Sequence, residues 1–472
     1  MTITIAAPST SDTLDFTSLF RTQKDRFASD ATKSLDWRLK QLTRLERLIT
    51  ENQDALTAAL AADFKTATFE IAFEFGAALG AIADAKTNLA QWMEPTDAPL
   101  PATFAKQGYK GKVFHDPYGV TLLIAPFNAP LALVVAPLVS IVAGGNPAIV
   151  KPSEVSSHTA DTLSELFPHY FEPEDVALVR GDRTVVSALL ELPFDFIFFT
   201  GSVPVGKIVM HAAAEHLTPV LLELGGHNPS IVDQTANLAD AARKLVWGAM
   251  AFGGQWCVSP GYVYVHESVA DEFVAETTKT VRDFYGTDPT ANPDLSLIAT
   301  QKDVVRLAGL IDPAKVAIGG DVDVEGRYVA PTILYPVQES DKVMEAEIFG
   351  PILPILRYSD LDEVVKSIKE RPSGLTAYIF SQDKERVSSL LTSLPFGGGA
   401  VNQTMLHLMF PSLPFGGVGG SGIGQYLGKA GFDNLTHNKS VLFSPADESI
   451  DVVFPPYSES SPTELAQLLS EQ

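Results

Sequence analysis

Four short segments carry residues able to do chemistry in otherwise apolar surroundings. Cys257, the only cysteine of the chain, follows Gly253-Gly254-Gln255-Trp256. Two glycines just before a thiol let backbone N–H groups crowd a ligand, and a thiolate held by such donors is a nucleophile. The alternative for a lone cysteine is a small core hydrophobe. Glu223 stands in the apolar run Val220-Leu221-Leu222-Glu223-Leu224 ahead of Gly225-Gly226. A carboxylate buried there has a raised pKa and serves as a general base near neutrality, unless a buried Arg or Lys pairs with it. Asn128 lies in Ala125-Pro126-Phe127-Asn128-Ala129-Pro130, where its amide either steadies an oxyanion or caps the next helix. Fourth is Gly201-Ser202-Val203-Pro204-Val205-Gly206-Lys207, directly after the apolar run Phe194–Phe199. A strand, a glycine-bounded loop and a helix present free N–H groups to phosphate, or make a plain turn.

The Gly-x-x-x-x-Gly-Lys spacing of that loop invites comparison with a triphosphate loop. There the lysine is followed by Ser or Thr, whose hydroxyl holds magnesium; here Ile208 follows Lys207, and Pro204 removes a backbone donor. Triphosphate hydrolysis is therefore set aside. Gly417-Val418-Gly419-Gly420-Ser421-Gly422 matches the dinucleotide fingerprint in letters only, because Leu413-Pro414-Phe415-Gly416 ahead of it is not a strand. It reads as a flexible loop near a site.

The elements that position these residues alternate. Strands are expected at Val120–Ala125, Pro147–Lys151, Ala177–Val179, Phe194–Phe199 and Val220–Leu222, separated by helices at Leu131–Ala143, Ser157–Leu166, Thr184–Leu190 and Val205–His216. A second series has strands at Ser230–Val232, Tyr262–Val265 and Ile352–Arg357, with a helix at Leu238–Met250. Alternation of this kind specifies an α/β fold with doubly wound parallel sheets. Helices are expected over residues 12–65 and 68–93, an exposed hairpin within 96–117, and a mobile acidic, serine-rich tail over 458–472.

At 472 residues, 46% apolar and 19% charged, the chain can fill two or three domains. A net charge of −23 argues against nucleic acid and anionic membranes as partners. One thiol makes neither an internal disulfide nor a thiolate metal cluster, so no metal site is expected and a reducing, cytoplasmic setting fits. Residues 1–8 lack a basic flank and a long apolar region, so no signal peptide is expected. Tyr118–Val150 is free of charge and long enough to span a bilayer, but Pro126, Pro130, Pro137 and Gly144-Gly145-Asn146 divide it into strand, loop, helix and turn.

Taken together, Pro126-Phe127-Asn128, Gly145-Asn146-Pro147 through Lys151-Pro152-Ser153-Glu154, Leu222-Glu223-Leu224-Gly225-Gly226, Gly254-Gln255-x-Cys257 and Glu347-Ile348-Phe349-Gly350-Pro351 resemble the NAD(P)-dependent aldehyde dehydrogenase superfamily. The resemblance runs from about residue 15 to about residue 457. The run Leu413–Gly419, Tyr426-x-Gly428-Lys429 and Pro455-Pro456-Tyr457 look like its class 3 branch. The resemblance implies a dinucleotide-binding domain (1–104 and 119–222), a catalytic domain (223–429), a small oligomerisation hairpin with a bridging segment (105–118 and 430–457), and a homodimer. Cys257 would attack an aldehyde, and Asn128 with the Cys257 N–H would hold the oxyanion. Hydride passes to nicotinamide, and Glu223 would activate the water that releases the acid. NAD or NADP would contact Lys151, Glu154, Gly201, Ser202, Val203, Gly206, Leu224, Gly225, Glu347 and Phe349. Retention of Glu223 argues against a CoA-acylating relative, and retention of all three catalytic residues against a non-catalytic scaffold.

Six residues at four sites depart from the family pattern. Val203-Pro204 replaces a Thr-containing pair, His227 stands where Lys is usual, and Phe252-Gly253 stands where Asn-Ala is. Trp256, beside the nucleophile, either narrows the substrate tunnel towards planar aromatic or unsaturated aldehydes or points into the core.

Overall fold

The computed structural model describes residues 16–447 and 450–470. The expected absence of a signal peptide over residues 1–8, the start of the first helix at 12 and the last two residues of the tail lie outside them.

A six-stranded sheet runs in the order Gly422–Ile423, Val220–Leu224, Phe196–Gly201, Thr121–Ile124, Ala148–Lys151 and Val176–Leu178. Five strands are parallel and the two-residue Gly422–Ile423 edge is antiparallel. The parallel strands are continuous apolar runs because helices cover both faces. The helix Ala132–Ala143 between two of them is apolar all round, and every residue in it is buried. The charge-free stretch 118–150 is thus strand, loop, helix and strand. Among the described residues no helix is long and apolar enough to cross a membrane.

A seven-stranded sheet follows, ordered Val316–Ile318, Thr332–Leu334, Ile352–Tyr358, Tyr262–His266, Pro229–Val232, Gly374–Phe380 and Phe396–Val401, parallel except at the first strand. Third is an antiparallel sheet of Thr96–Ala98, Lys110–Pro117 and Thr436–Phe443. The segment 105–118 is therefore not a hairpin on its own. It holds the end of a short helix, Ala102–Lys106, and one strand, which pairs antiparallel with Thr96–Ala98, inside the range 96–117 where a hairpin is expected, and with a distant C-terminal partner, whose register sequence spacing does not reveal. The tail beyond 458 contains the helix Ser461–Ser470, which buries no residue.

The N-terminal helices dock on the six-stranded sheet through Asp175, a buried carboxylate at the start of its edge strand. Leu35–Glu51 begins at Ser34, whose side chain accepts from the Trp37 N–H, and it buries Leu42, Leu45, Leu48 and Ile49 completely. Asp175 accepts from Arg26 Nε (2.8 Å), Trp37 Nε1 (2.9 Å) and Gln41 Nε2 (2.9 Å). Truncating one partner of such a buried network strands the others. Asp175→Ala is expected to lower the unfolding free energy in a denaturant melt by about 3 kcal/mol, and Asp175→Asn by less. An alanine variant as stable as the parent would show that the anchor lies elsewhere.

Candidate active site

Because neighbouring strands are parallel, their C-terminal ends share one edge, where open α/β sheets bind ligands. The register aligns Ile124 with Lys151 and with Phe199, and Thr200 with Glu223. Lys151, Thr200, Gly201 and Glu223 therefore line up along that edge, and the loop after Ile124 carries Asn128 over it.

Cys257 arrives from the other sheet's side. The helix Leu238–Met250 ends, and Phe252, Gly253 and Gly254 take φ angles of 58°, 62° and 66°. A side chain on Gly254 would collide with the Gly350 carbonyl, so this turn demands glycine. Gln255 pins it: its amide donates to the carbonyls of Phe252 (3.1 Å) and Leu297 (2.9 Å), and its oxygen accepts from the Ala299 N–H (2.8 Å). The Cys257 carbonyl accepts from Asn228 Nδ2 at 2.8 Å. The thiol position is thus set by backbone and amide bonds rather than by its own contacts.

Two cavities meet at Cys257. The larger, about 630 Å³, is lined by Asn128, Glu223, Lys151, Glu154, Gly201, Ser202, Leu224, Gly225, Glu347 and Phe349 together with Cys257. The smaller, about 300 Å³, runs beside the helix Thr68–Trp92 and has no charged residue in its wall. Trp256 belongs to this second wall and also packs edge-on against Phe73 (centroids 5.2 Å) and Phe252 (3.9 Å). Trp256 thus lines a cavity and packs in the core at once.

Val203 and Gly206 do not line either cavity. Gly206 is packing space: a Cβ there would lie 2.6 Å from Leu224 Cδ2. The helix expected from Val205 begins at Val203, which places Pro204 in its first turn. There a missing N–H costs no hydrogen bond, so the Val203-Pro204 departure is a helix start. His227 lies outside both cavities. Burial holds its pKa down to about 4, and Nε2 lies 3.1 Å from the Gly261 carbonyl.

The electrostatics favour neutral groups at the junction. Burial raises Glu223 well above the ordinary carboxylate value, and both its oxygens lack a hydrogen-bond partner. Burial also pushes the Cys257 thiol up, with Glu347 and Glu223 adding to it. Glu347, half-buried, is pushed up to about 7 by desolvation, and its Oε1 is unpartnered. Its carboxylate fills the space over Gly225 that any side chain there would take. Arg306 fixes this segment by donating to the carbonyls of Ile348 (2.8 Å) and Phe349 (3.4 Å).

These residues fit a dinucleotide. Lys151 Nζ, almost fully buried, holds Glu154 Oε2 at 2.5 Å, an arrangement that can offer both a donor and an acceptor to ribose hydroxyls. Thr200 Oγ1 and Glu347 Oε1 are buried without partners, and the N-terminus of Val203–Glu215 opens beside Ser202. Phe415 and Tyr426 line both cavities, as Leu133 does, and were not among the expected site residues. They flank the Gly417–Gly422 loop. That loop is not free: Gly422 pairs with Glu223 across the sheet edge, which brings both aromatics to the junction. The glycine run was the sequence signal, since only glycine turns this tightly.

Residues 3–441 match the aldehyde dehydrogenase family. The 4,4'-diaponeurosporen-aldehyde dehydrogenase of Staphylococcus aureus is 41% identical over 93% of this chain and 96% of its own. The dimeric NADP-preferring aldehyde dehydrogenase of Mus musculus is 39% identical over 91% and 94%. A solved structure of Staphylococcus aureus AldH in a substrate-bound state superposes with a TM-score of 0.92 at 39% identity, covering 96% of this chain and 99% of that one. The chain belongs to the aldehyde dehydrogenase family and is an NAD(P)-dependent aldehyde dehydrogenase.

Proposed function

We propose that Cys257 is the nucleophile, Asn128 the oxyanion donor and Glu223 the base, acting on a slender, charge-free aldehyde. The observation that carries this reading is the position of Cys257, the one thiol, at the junction of a polar cavity fit for a dinucleotide and an apolar one fit for a substrate. An aldehyde entering through the apolar cavity meets the sulfur first. As the sulfur attacks, its proton passes to water in the larger cavity, so this step does not require Glu223. The Asn128 amide and the Cys257 N–H stabilise the oxyanion that forms. When bound, the nicotinamide supplies the oxidant, accepting the hydride that turns the Cys257 adduct into a thioester. Glu223 then deprotonates the water that releases the acid, and Lys151, Glu154 and Glu347 hold the ribose hydroxyls. The roles rest on the shared cavity and on the family motifs.

The substrate reading rests on the wall of the smaller cavity. Ala72, Gly76, Ala77 and Gly80 face it from one helix and leave it open, while Phe73 and Trp256 flatten it. The Staphylococcus aureus relative is named for 4,4'-diaponeurosporen-aldehyde, which supports an extended unsaturated substrate. A second copy of the chain is the proposed partner. Thr436–Phe443 pairs on one edge only and exposes Leu442 and Phe443, and the Mus musculus relative is named as dimeric.

Three outcomes follow. Glu223→Gln keeps a first-turnover burst of reduced nicotinamide but loses about 10²-fold or more in steady-state rate. Parent turnover falls as pH drops through the raised Glu223 pKa, because the base must be ionised, and the Gln variant loses that limb. Unchanged steady-state turnover would remove Glu223 from the base role. A Cβ on Gly76 or Gly80 meets no atom within 4 Å, so a larger side chain enters the cavity. Gly76→Leu and Gly80→Leu are expected to cut kcat/KM for a long-chain aldehyde by about tenfold or more and to spare a short one. Equal losses for both lengths would argue against the substrate reading. Leu442→Arg is expected to shift sedimentation from dimer towards monomer; an unchanged profile places the contact elsewhere.

A further inference from the structure

Behind the apolar cavity lies a cluster of charged side chains that the reaction does not use. Lys65, Glu70 and Glu74 are all buried, Lys65 and Glu74 completely. Buried charges are retained only where partners and geometry compensate for the lost hydration, so the partners are informative. Glu74 Oε2 accepts from the N–H groups of Leu131 (2.9 Å) and Ala132 (3.1 Å), at the positive end of the helix that follows Asn128. Its Oε1 lies 3.4 Å from Lys65 Nζ. Lys65 Nζ in turn sits 3.9 Å above the Phe252 ring, a cation–π contact strengthened by the absence of water. Glu70 completes the circuit: Oε1 accepts from the Phe252 N–H at 2.5 Å and Oε2 from the Ser296 hydroxyl at 2.5 Å.

These bonds join two segments far apart in sequence. One end grips the turn that carries Asn128, and the other grips Phe252, the first residue of the left-handed run leading to Cys257. Phe252 is a bulky residue at φ 58°, a conformation that persists only when its surroundings impose it. Glu70 and Glu74 are one helical turn apart on Thr68–Trp92, so a single rigid helix spaces the two grips.

We propose that Lys65, Glu70 and Glu74 are positioning residues that fix the Asn128 amide relative to the Cys257 sulfur, an inference that rests on the roles assigned above to those two residues. Attack on an aldehyde needs both groups in register, because the charge that develops sits on oxygen between them. Alkylation of Cys257 by iodoacetamide develops no such oxyanion and needs only the thiol. The two reactions therefore separate a fault at Asn128 from a fault at Cys257.

The test compares the full-length parent with Glu74→Gln, Glu70→Gln and the charge-balanced Lys65→Met/Glu74→Gln variant, which leaves no unpaired ammonium. Three quantities are measured: single-turnover formation of reduced nicotinamide at saturating aldehyde, the rate of Cys257 alkylation by iodoacetamide without cofactor, and the thermal midpoint. Glu74→Gln is expected to slow the single turnover about tenfold or more, while alkylation changes less than about twofold. Glu70→Gln and the double variant, which both remove a contact at Phe252, are expected to change both rates. A merely structural role would lower all three quantities together. Parent-like single turnover in the double variant, or parallel loss of both rates and of the midpoint in every variant, overturns the proposal. Absence of any single turnover in the parent overturns the Cys257 assignment as well, so the two failures are distinguishable.

Discussion

Three consecutive positive φ angles, at Phe252, Gly253 and Gly254, put Cys257 where two cavities meet, and much of the molecule serves to hold that turn. Left-handed backbone at a bulky residue costs on the order of 1 kcal/mol or more, so something must oppose its relaxation. The opposing contacts come from three directions: Glu70 on the Phe252 N–H, Lys65 on its ring, and Gln255 back onto its carbonyl. Gly350 presses from the remaining side, against Gly254. The turn is thus held from Lys65 and Glu70, far away in sequence, as well as from its own segment.

The same geometry gives the two cavities different walls. Along the larger one, strand ends present Lys151, Gly201 and Glu223 because parallel pairing puts C-termini on one edge. Along the smaller one, one helix presents alanines and glycines to the cavity and glutamates to the core behind it. Glu223, Cys257 and Glu347 are all pushed towards their neutral forms by burial.

Asn128, Glu223 and Cys257 were legible in the sequence because each broke an apolar run, and the strand–helix alternation fixed the sheet that gathers them. The helix expected from Val205 starts at Val203 instead, because Pro204 reads as a loop residue in the sequence although the first turn of a helix accepts it. Phe415 and Tyr426 were missed because a glycine-rich loop carries no sign of which sheet edge it will pair with. Lys65, Glu70 and Glu74 were missed for a different reason: charges at helical spacing look like a solvated face. The signal was present, since Glu70 and Glu74 share one face within Thr68–Ala83, a stretch that has no other charge.

Acylation of Cys257 and its clearance by Glu223 leave a mass signature. It is read by mass spectrometry of the Glu223→Gln variant, quenched in acid after mixing with an aldehyde and the oxidised cofactor. The peptide containing Cys257 is expected to gain the mass of the aldehyde less two hydrogens. An unmodified Cys257 peptide in a variant that has reduced its cofactor would contradict it.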